Sequence, residues 1–168
     1  GLELKLVEMI RNGQENVAIA DRLHHWMRRL LSTLDTAQLP AALTEELQHQ
    51  FLIPQVALRL WALPQASAQR LEGQACVAAV SDDVKSFAAS LSAAFCGGNH
   101  GFEAAGWLGE AGHVQSMAMI ALKQGEEAFG LLVLGSPDPT RYSAEMGTEF
   151  LARIGDIASA ALARLRQA

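Results

Sequence analysis

Apolar residues along the start of the chain recur at alternating intervals of four and three. Leu2, Leu6, Met9, Gly13, Asn16, Ala20, Leu23, Met27, Leu30 and Leu34 fall on one heptad seam, the spacing that turns one face of a helix toward a partner helix. A helix of that length runs about 50 Å, longer than a domain of this size is wide. Part of it must project. The centre of the seam is weak, because Gly13, Asn16 and Ala20 bury little area and a helical glycine costs about 1 kcal/mol relative to alanine. An Asn on a seam trades stability for register. The pattern predicts a helix-mediated homodimer with Leu6, Met9, Asn16, Leu23, Met27 and Leu30 at its interface. The competing reading is that Gly13 breaks the helix and its second half packs on its own core.

Beyond residue 35 the periods shorten. Leu39, Leu43, Leu47 and Phe51 predict a second helix after Pro40, stopped by Pro54. Gln55–Leu63 alternates Val56, Leu58 and Leu60 with Ala57, Arg59 and Trp61 and reads as a strand. The small and polar stretch Pro64–Gly73 reads as a loop, and Ala75–Val80 as a second strand. Ser81 is a candidate cap for a helix that carries Val84, Phe87, Leu91 and Ala94 on one face. The segment Cys96-Gly97-Gly98-Asn99-His100-Gly101 reads as a loop, with an edge strand expected somewhere between 96 and 115.

The last third is the clearest. Two apolar strands, Ser116–Leu122 and Ala128–Ser136, flank a turn in which Gly125 is free to take a positive φ. Both faces of the second strand are apolar, with Phe129, Leu131 and Val133 set against Gly130, Leu132 and Leu134. It should therefore lie centrally and be covered on both sides. Ser143 and Glu145 open a final helix with Met146, Phe150, Ile154, Ile157, Ala161 and Leu165 as its buried stripe. Gly147, Gly155, Ala158 and Ser159 beside that stripe allow close helix approach.

The chain has 168 residues, half of them hydrophobic, which suits one domain with a real core. A formal net charge of -5 argues against nucleic acid as the main partner; Arg22, Arg28 and Arg29 read as a solvated helix face. No apolar run reaches membrane-spanning length, so no membrane partner is expected. Glu3, Lys5 and Glu8 interrupt the N-terminus, unlike a signal peptide. A chain starting at Gly1 rather than Met is expected to be a cleavage product with residues upstream. Cys76 and Cys96, far apart and without a Cys-x-x-Cys spacing, suit reduced thiols in the cytoplasm.

The element order resembles a GAF domain, the small-molecule-sensing relative of PAS domains. The wording of Asn16–Trp26, Phe51–Trp61 and Gly125–Leu162 resembles a bacterial family known as domain of unknown function 484. The likeness is strongest at Phe129–Ser136 and at Arg141-Tyr142 followed by Met146-Gly147-Thr148. The resemblance implies an α+β fold: an antiparallel sheet of five or six strands with helices on one face, preceded by the long N-terminal helix. It divides the chain into a dimerisation helix at 1–35 and a GAF-like domain at 36–168. It also implies a ligand pocket under the irregular connection, bordered by Leu58, Leu60, Phe95, Cys96, Phe102, Trp107 and Met117.

Catalytic chemistry is thin. His24 and His25 are adjacent and diverge by about 100° on a helix, while His49, His100 and His113 lack the spacing of a chelating pair. Asp82-Asp83 and Glu126-Glu127 sit at cap and turn positions and read as solvated carboxylates. No metal or cofactor is expected. The expected function is a non-catalytic regulatory or sensory domain that binds a small molecule and dimerises. Two alternatives stay open: a structural dimerisation or adaptor domain without ligand, and a thiol-dependent methionine sulfoxide reductase.

Overall fold

The structure, a computed structural model, describes residues 1–109, 113–142 and 149–167, apart from the side chains of residues 12, 15 and 16. The first element, α1 (Leu2–Ser32), is continuous through Gly13. A 3₁₀ turn (Thr36–Gln38) leads into α2 (Leu39–Phe51), where Pro40 occupies a first-turn position that needs no N–H partner. There follow β1 (Gln55–Leu60), α3 (Gln65–Arg70), a 3₁₀ turn (Ala75–Val77) and α4 (Asp82–Ser90). Next come β2 (Phe95–Gly98), a 3₁₀ turn (Glu103–Leu108), β3 (Ser116–Gln124), β4 (Glu127–Ser136) and α5 (Glu149–Leu162), closed by a 3₁₀ turn (Ala163–Arg166).

The four strands form one antiparallel sheet in the order β1-β4-β3-β2. β4 is central, as its two apolar faces require. The pairing of Gln124 with Glu127 leaves a two-residue turn, and Gly125 takes φ +64° there. A register shift opposite Leu122 and Lys123 bulges the strand. Phe129 therefore joins Leu132 and Leu134 on one face, while Leu131 and Val133 take the other. The expected alternation is broken there. Gly130 sits where an added Cβ would lie 2.8 Å from Leu60 Cδ2 and 3.0 Å from Arg59 O, so only glycine fits.

Each face has its own core. On the first, Leu58, Leu60, Ile120 and Leu132 pack against Leu23, Trp26 and Leu30 of α1, Leu43 and Leu47 of α2, and Leu151 and Ile154 of α5. On the second, Ala57, Met117, Met119, Leu131 and Val133 pack under Val84 and Ala88 of α4 and under Ala104, Ala105 and Leu108. The residue 35 boundary does not coincide with a packing boundary, because the second half of α1 belongs to the first core.

Several expectations need correction. Among the described residues the sheet has four strands rather than five or six. Ala75–Val80 is not a strand: the N–H groups of Val77 and Ala78 bond locally to Gln74 O and Ala75 O, which closes a 3₁₀ turn. Pro64–Gly73 is not a plain loop; it contains α3, anchored by the buried Leu71 and by Ser67 Oγ donating to Leu165 O at 2.5 Å. The segment opening at Cys96 is not a loop at its start, because Phe95–Gly98 is the edge strand β2. α4 ends at Ser90, so Leu91 and Ala94 are not helical. Ser143, Glu145, Met146 and Gly147 lie outside the described residues.

Ser116, buried at the start of β3, ties the sheet to the turn after β4. Its hydroxyl donates to Asp138 O at 2.6 Å and accepts from Tyr142 N–H at 3.2 Å. Within that turn the Thr140 N–H and hydroxyl both donate to the Asp138 carboxylate, holding its carboxyl below the ordinary value. Ser116→Ala leaves a buried amide unpaired, so it is expected to cost about 1–3 kcal/mol in urea unfolding. An unchanged midpoint would show that the turn is held by other contacts.

Candidate functional site

The residues expected to border one pocket lie in different places. Phe95 and Phe102 stack edge to face with centroids 5.1 Å apart, and Phe87 closes on both at 6.3 and 6.2 Å. Met117 is buried in the same core. These side chains fill the space under the irregular connection. Cys96, next to Phe95 on β2, points to the opposite face and packs against the first core. Leu60 is buried in that first core as well. Of the expected set, Leu58 and Trp107 share a pocket.

That pocket, about 260 Å³, lies along the outer edge of β1. Val56, Ala57, Leu58 and Arg59 form its floor, the start of α2 (Pro40, Ala41, Thr44) one wall, and Gln74–Cys76 with Trp107 the other. Trp61 N–H bonds Phe129 O across the β1–β4 ladder at 2.8 Å. By the alternation of an antiparallel pair, the Val56 and Leu58 amides point the other way, toward the edge and the pocket. Arg59 stacks on the Trp107 ring at 4.9 Å and donates through Nη1 to Ala79 O at 3.3 Å. A guanidinium over an indole face keeps N–H donors that the Ala79 bond does not use. The Thr44 hydroxyl donates to Pro40 O and Ala41 O, and Gln74 Nε2 donates to Ala37 O. The pocket thus offers a guanidinium and backbone N–H groups over an apolar floor, a donor set that matches a carboxylate on a small apolar body.

Sequence reasoning missed Arg59, Thr44, Gln74 and Cys76 as pocket residues. The available signal was Arg59, the lone charge within β1.

The thiols are poorly set for redox chemistry. Burial pushes both the Cys76 and the Cys96 thiol above the ordinary value, so the neutral form is favoured in each. Cys76 lies beside β1 and Cys96 on β2, the two opposite edges of the sheet. Three strand spacings of about 4.8 Å separate those edges, well beyond disulfide reach. Among the described residues, no group of three or more His, Cys, Asp or Glu side chains is placed to hold a metal ion, and no helix is long and apolar enough to cross a membrane.

The second feature is α1 itself. Leu6 and Met9 are exposed, and Met27 is 38% exposed. Leu23 and Leu30, expected at an interface with another chain, are 5% and 2% exposed because α2 and α5 already cover them. The Asn16 side chain lies outside the described residues. A groove between α1 and α5 continues past this point. One stretch of about 380 Å³ has Ala20, His24 and Met27 facing Arg153 and Asp156. The next, about 470 Å³, has Met27 and Leu31 facing Asp156, Ala160 and Arg164.

No curated protein matches the sequence. Among solved structures, the chain is similar to the GAF domain from Acinetobacter phosphoenolpyruvate-protein phosphotransferase. The TM-score is 0.61 at 14% identity, covering 86% of this chain and 92% of that one. It is also similar to the GAF domain of a protein described as a sensor histidine kinase from Pseudomonas syringae pv. tomato. There the TM-score is 0.54 at 16% identity, covering 92% of this chain and 89% of that one. The family described as "Protein of unknown function, DUF484" matches residues 1–167. With a central antiparallel sheet between two cores and the GAF domain's architecture, the chain belongs to the DUF484 family.

Proposed function

We propose that the chain is a non-catalytic regulatory or sensory domain that self-associates through α1 and receives a small carboxylate at the Arg59–Trp107 pocket. One observation carries the reading. Of the large apolar side chains left exposed among the described residues, all but Leu34 and Leu52 lie on α1. A soluble monomer rarely keeps so long an apolar patch uncovered. The sensory part draws on the fold shared with GAF domains of a phosphotransferase and of a sensor kinase, and on the donor set of the pocket. The raised and widely separated thiols weigh against the reductase alternative.

Two measurements test the reading together. Sedimentation equilibrium of the intact chain at tens of micromolar is expected to give a dimer. A thermal-shift series from butanoate to decanoate, each beside its primary amide, is expected to show stabilisation by the acids alone. At a hundredfold excess over Kd such a ligand adds about 2.7 kcal/mol. Arg59→Ala should abolish the shift while lowering stability without ligand by only about 1–2 kcal/mol, the worth of the Trp107 contact and the Ala79 hydrogen bond. A dimer that responds to none of the acids supports the structural adaptor reading instead.

A further inference from the structure

The exposed stripe of α1 follows a heptad of its own, displaced from the one first read off the sequence. Leu6, Gly13, Ala20 and Met27 are common to both. The alternate positions slide by one residue, from Met9, Asn16, Leu23 and Leu30 to Ile10, Val17, His24 and Leu31. The reason is structural: Leu23 and Leu30 are committed to the first core, whereas Val17 is 62% exposed and Leu31 73%. The slid stripe still alternates by four and three, so it still forms a coiled-coil seam. Its lower half, Ala20, His24, Met27 and Leu31, is the α1 wall of the groove against α5.

We infer that this groove and the stripe that continues from it are filled by α1 of a second copy, parallel and in register along the slid seam. The inference rests on the proposed self-association and names its geometry. Two features fit a parallel dimer. β-branched Ile10 and Val17 occupy a positions and Leu6 a d position, which within a parallel coiled coil favours two strands. Charge gives the second. In this heptad Leu23 and Leu30 occupy g positions, so α5 stands on the g flank of α1. In a parallel pair that flank meets the e positions of the other helix, which carry Asp21 and Arg28. Arg153 stands in the groove beside Ala20 and His24, and Asp156 further along beside Met27. A parallel partner brings the partner's Asp21 level with Arg153 and the partner's Arg28 level with Asp156. An antiparallel partner turns its own g flank toward α5 instead, so neither its Asp21 nor its Arg28 reaches Arg153 or Asp156. Arg153 already pairs with Glu149 at 3.3 Å on its own helix, and the partner's Asp21 extends that pair into a network.

Disulfide trapping and sedimentation on the full chain separate the possible outcomes. Ile10→Cys and Leu31→Cys should each oxidise to a covalent dimer at least about tenfold faster than Met9→Cys, because a-position cysteines of a parallel pair are held together at high effective concentration. The unmodified chain, with Cys76 buried and Cys96 half-buried, is the control for background. Val17→Glu and Leu31→Glu should each raise the dimer dissociation constant by about a hundredfold or more through burial of charge in the seam. Both side chains are exposed in the single chain, so far-UV circular dichroism should show the fold retained. A monomeric intact chain overturns the self-association reading itself. A dimer in which Met9→Cys cross-links fastest, or in which Ile10→Cys traps only when mixed with Leu31→Cys, leaves self-association standing and overturns the parallel slid seam. So does a dimer unaffected by both glutamates.

Discussion

Trp26→Ala is expected to lower the stability of the domain by about 3–5 kcal/mol, a large part of the roughly 5–15 kcal/mol that holds a domain folded. The indole is fully buried among the side chains that join α1, α2 and the sheet. Its Nε1–H donates to Leu43 O of α2 at 3.1 Å. Truncation opens a cavity and removes the indole's hydrogen bond, while Leu43 O keeps its donor within α2. Urea unfolding followed by circular dichroism reads the change as a shift of midpoint at constant slope. Met27→Ala, one residue on, is the internal comparison, since Met27 faces the groove and should change monomer stability by no more than about 0.5 kcal/mol. If Trp26→Ala falls within about 1 kcal/mol of the parent, the lower half of α1 is not part of the core. A helix anchored this firmly belongs to the same core as α2 and the sheet. Leu23→Lys and Leu30→Lys, obvious choices for breaking a dimer, should unfold the chain instead, because they place a charge in that same core.

Gly130→Val is expected to be nearly as damaging, at about 3 kcal/mol, the upper end of what overpacking a core costs. The first added carbon meets Leu60 Cδ2 at 2.8 Å, Leu122 Cδ1 at 3.0 Å and the Arg59 carbonyl oxygen at 3.0 Å. The leucines can rotate; the backbone oxygen, fixed in the β1–β4 ladder, cannot. The bulge beside Gly130 turns Phe129 toward the same core, which leaves no slack for repacking. Gly130→Ala should fall between valine and the parent. Gly106→Ala, where nothing lies within 4 Å of the added carbon, should be silent. Thermal melts of the three variants and the parent check the order. Equal losses for Gly130 and Gly106 would show that glycine flexibility, not space at β4, sets the requirement.

What the sequence by itself determined was whatever repeats with a regular period. The four-residue spacing of Leu39, Leu43, Leu47 and Phe51 fixed α2. The double apolar pattern around Leu131–Leu134 with the Gly125 turn fixed the β3–β4 hairpin and its central place. The wording of Phe129–Ser136 carried the family. Short, weakly patterned segments were settled only by tertiary contacts. Ala75–Val80 has strand-forming composition, yet its amides are satisfied within a local turn, and Pro64–Gly73 became helical in part because Leu71 found a buried site. The candidate pocket was legible at Leu58 and Trp107 alone. Its cation comes from the middle of β1, and its far wall from a turn that no period predicts. The seam shows the division most directly. A heptad states that α1 has an apolar face, but consecutive heptad phases differ by a single residue, and both are apolar here. The choice between them fell to α2 and α5, which cover Leu23 and Leu30 and leave Val17 and Leu31 facing outward.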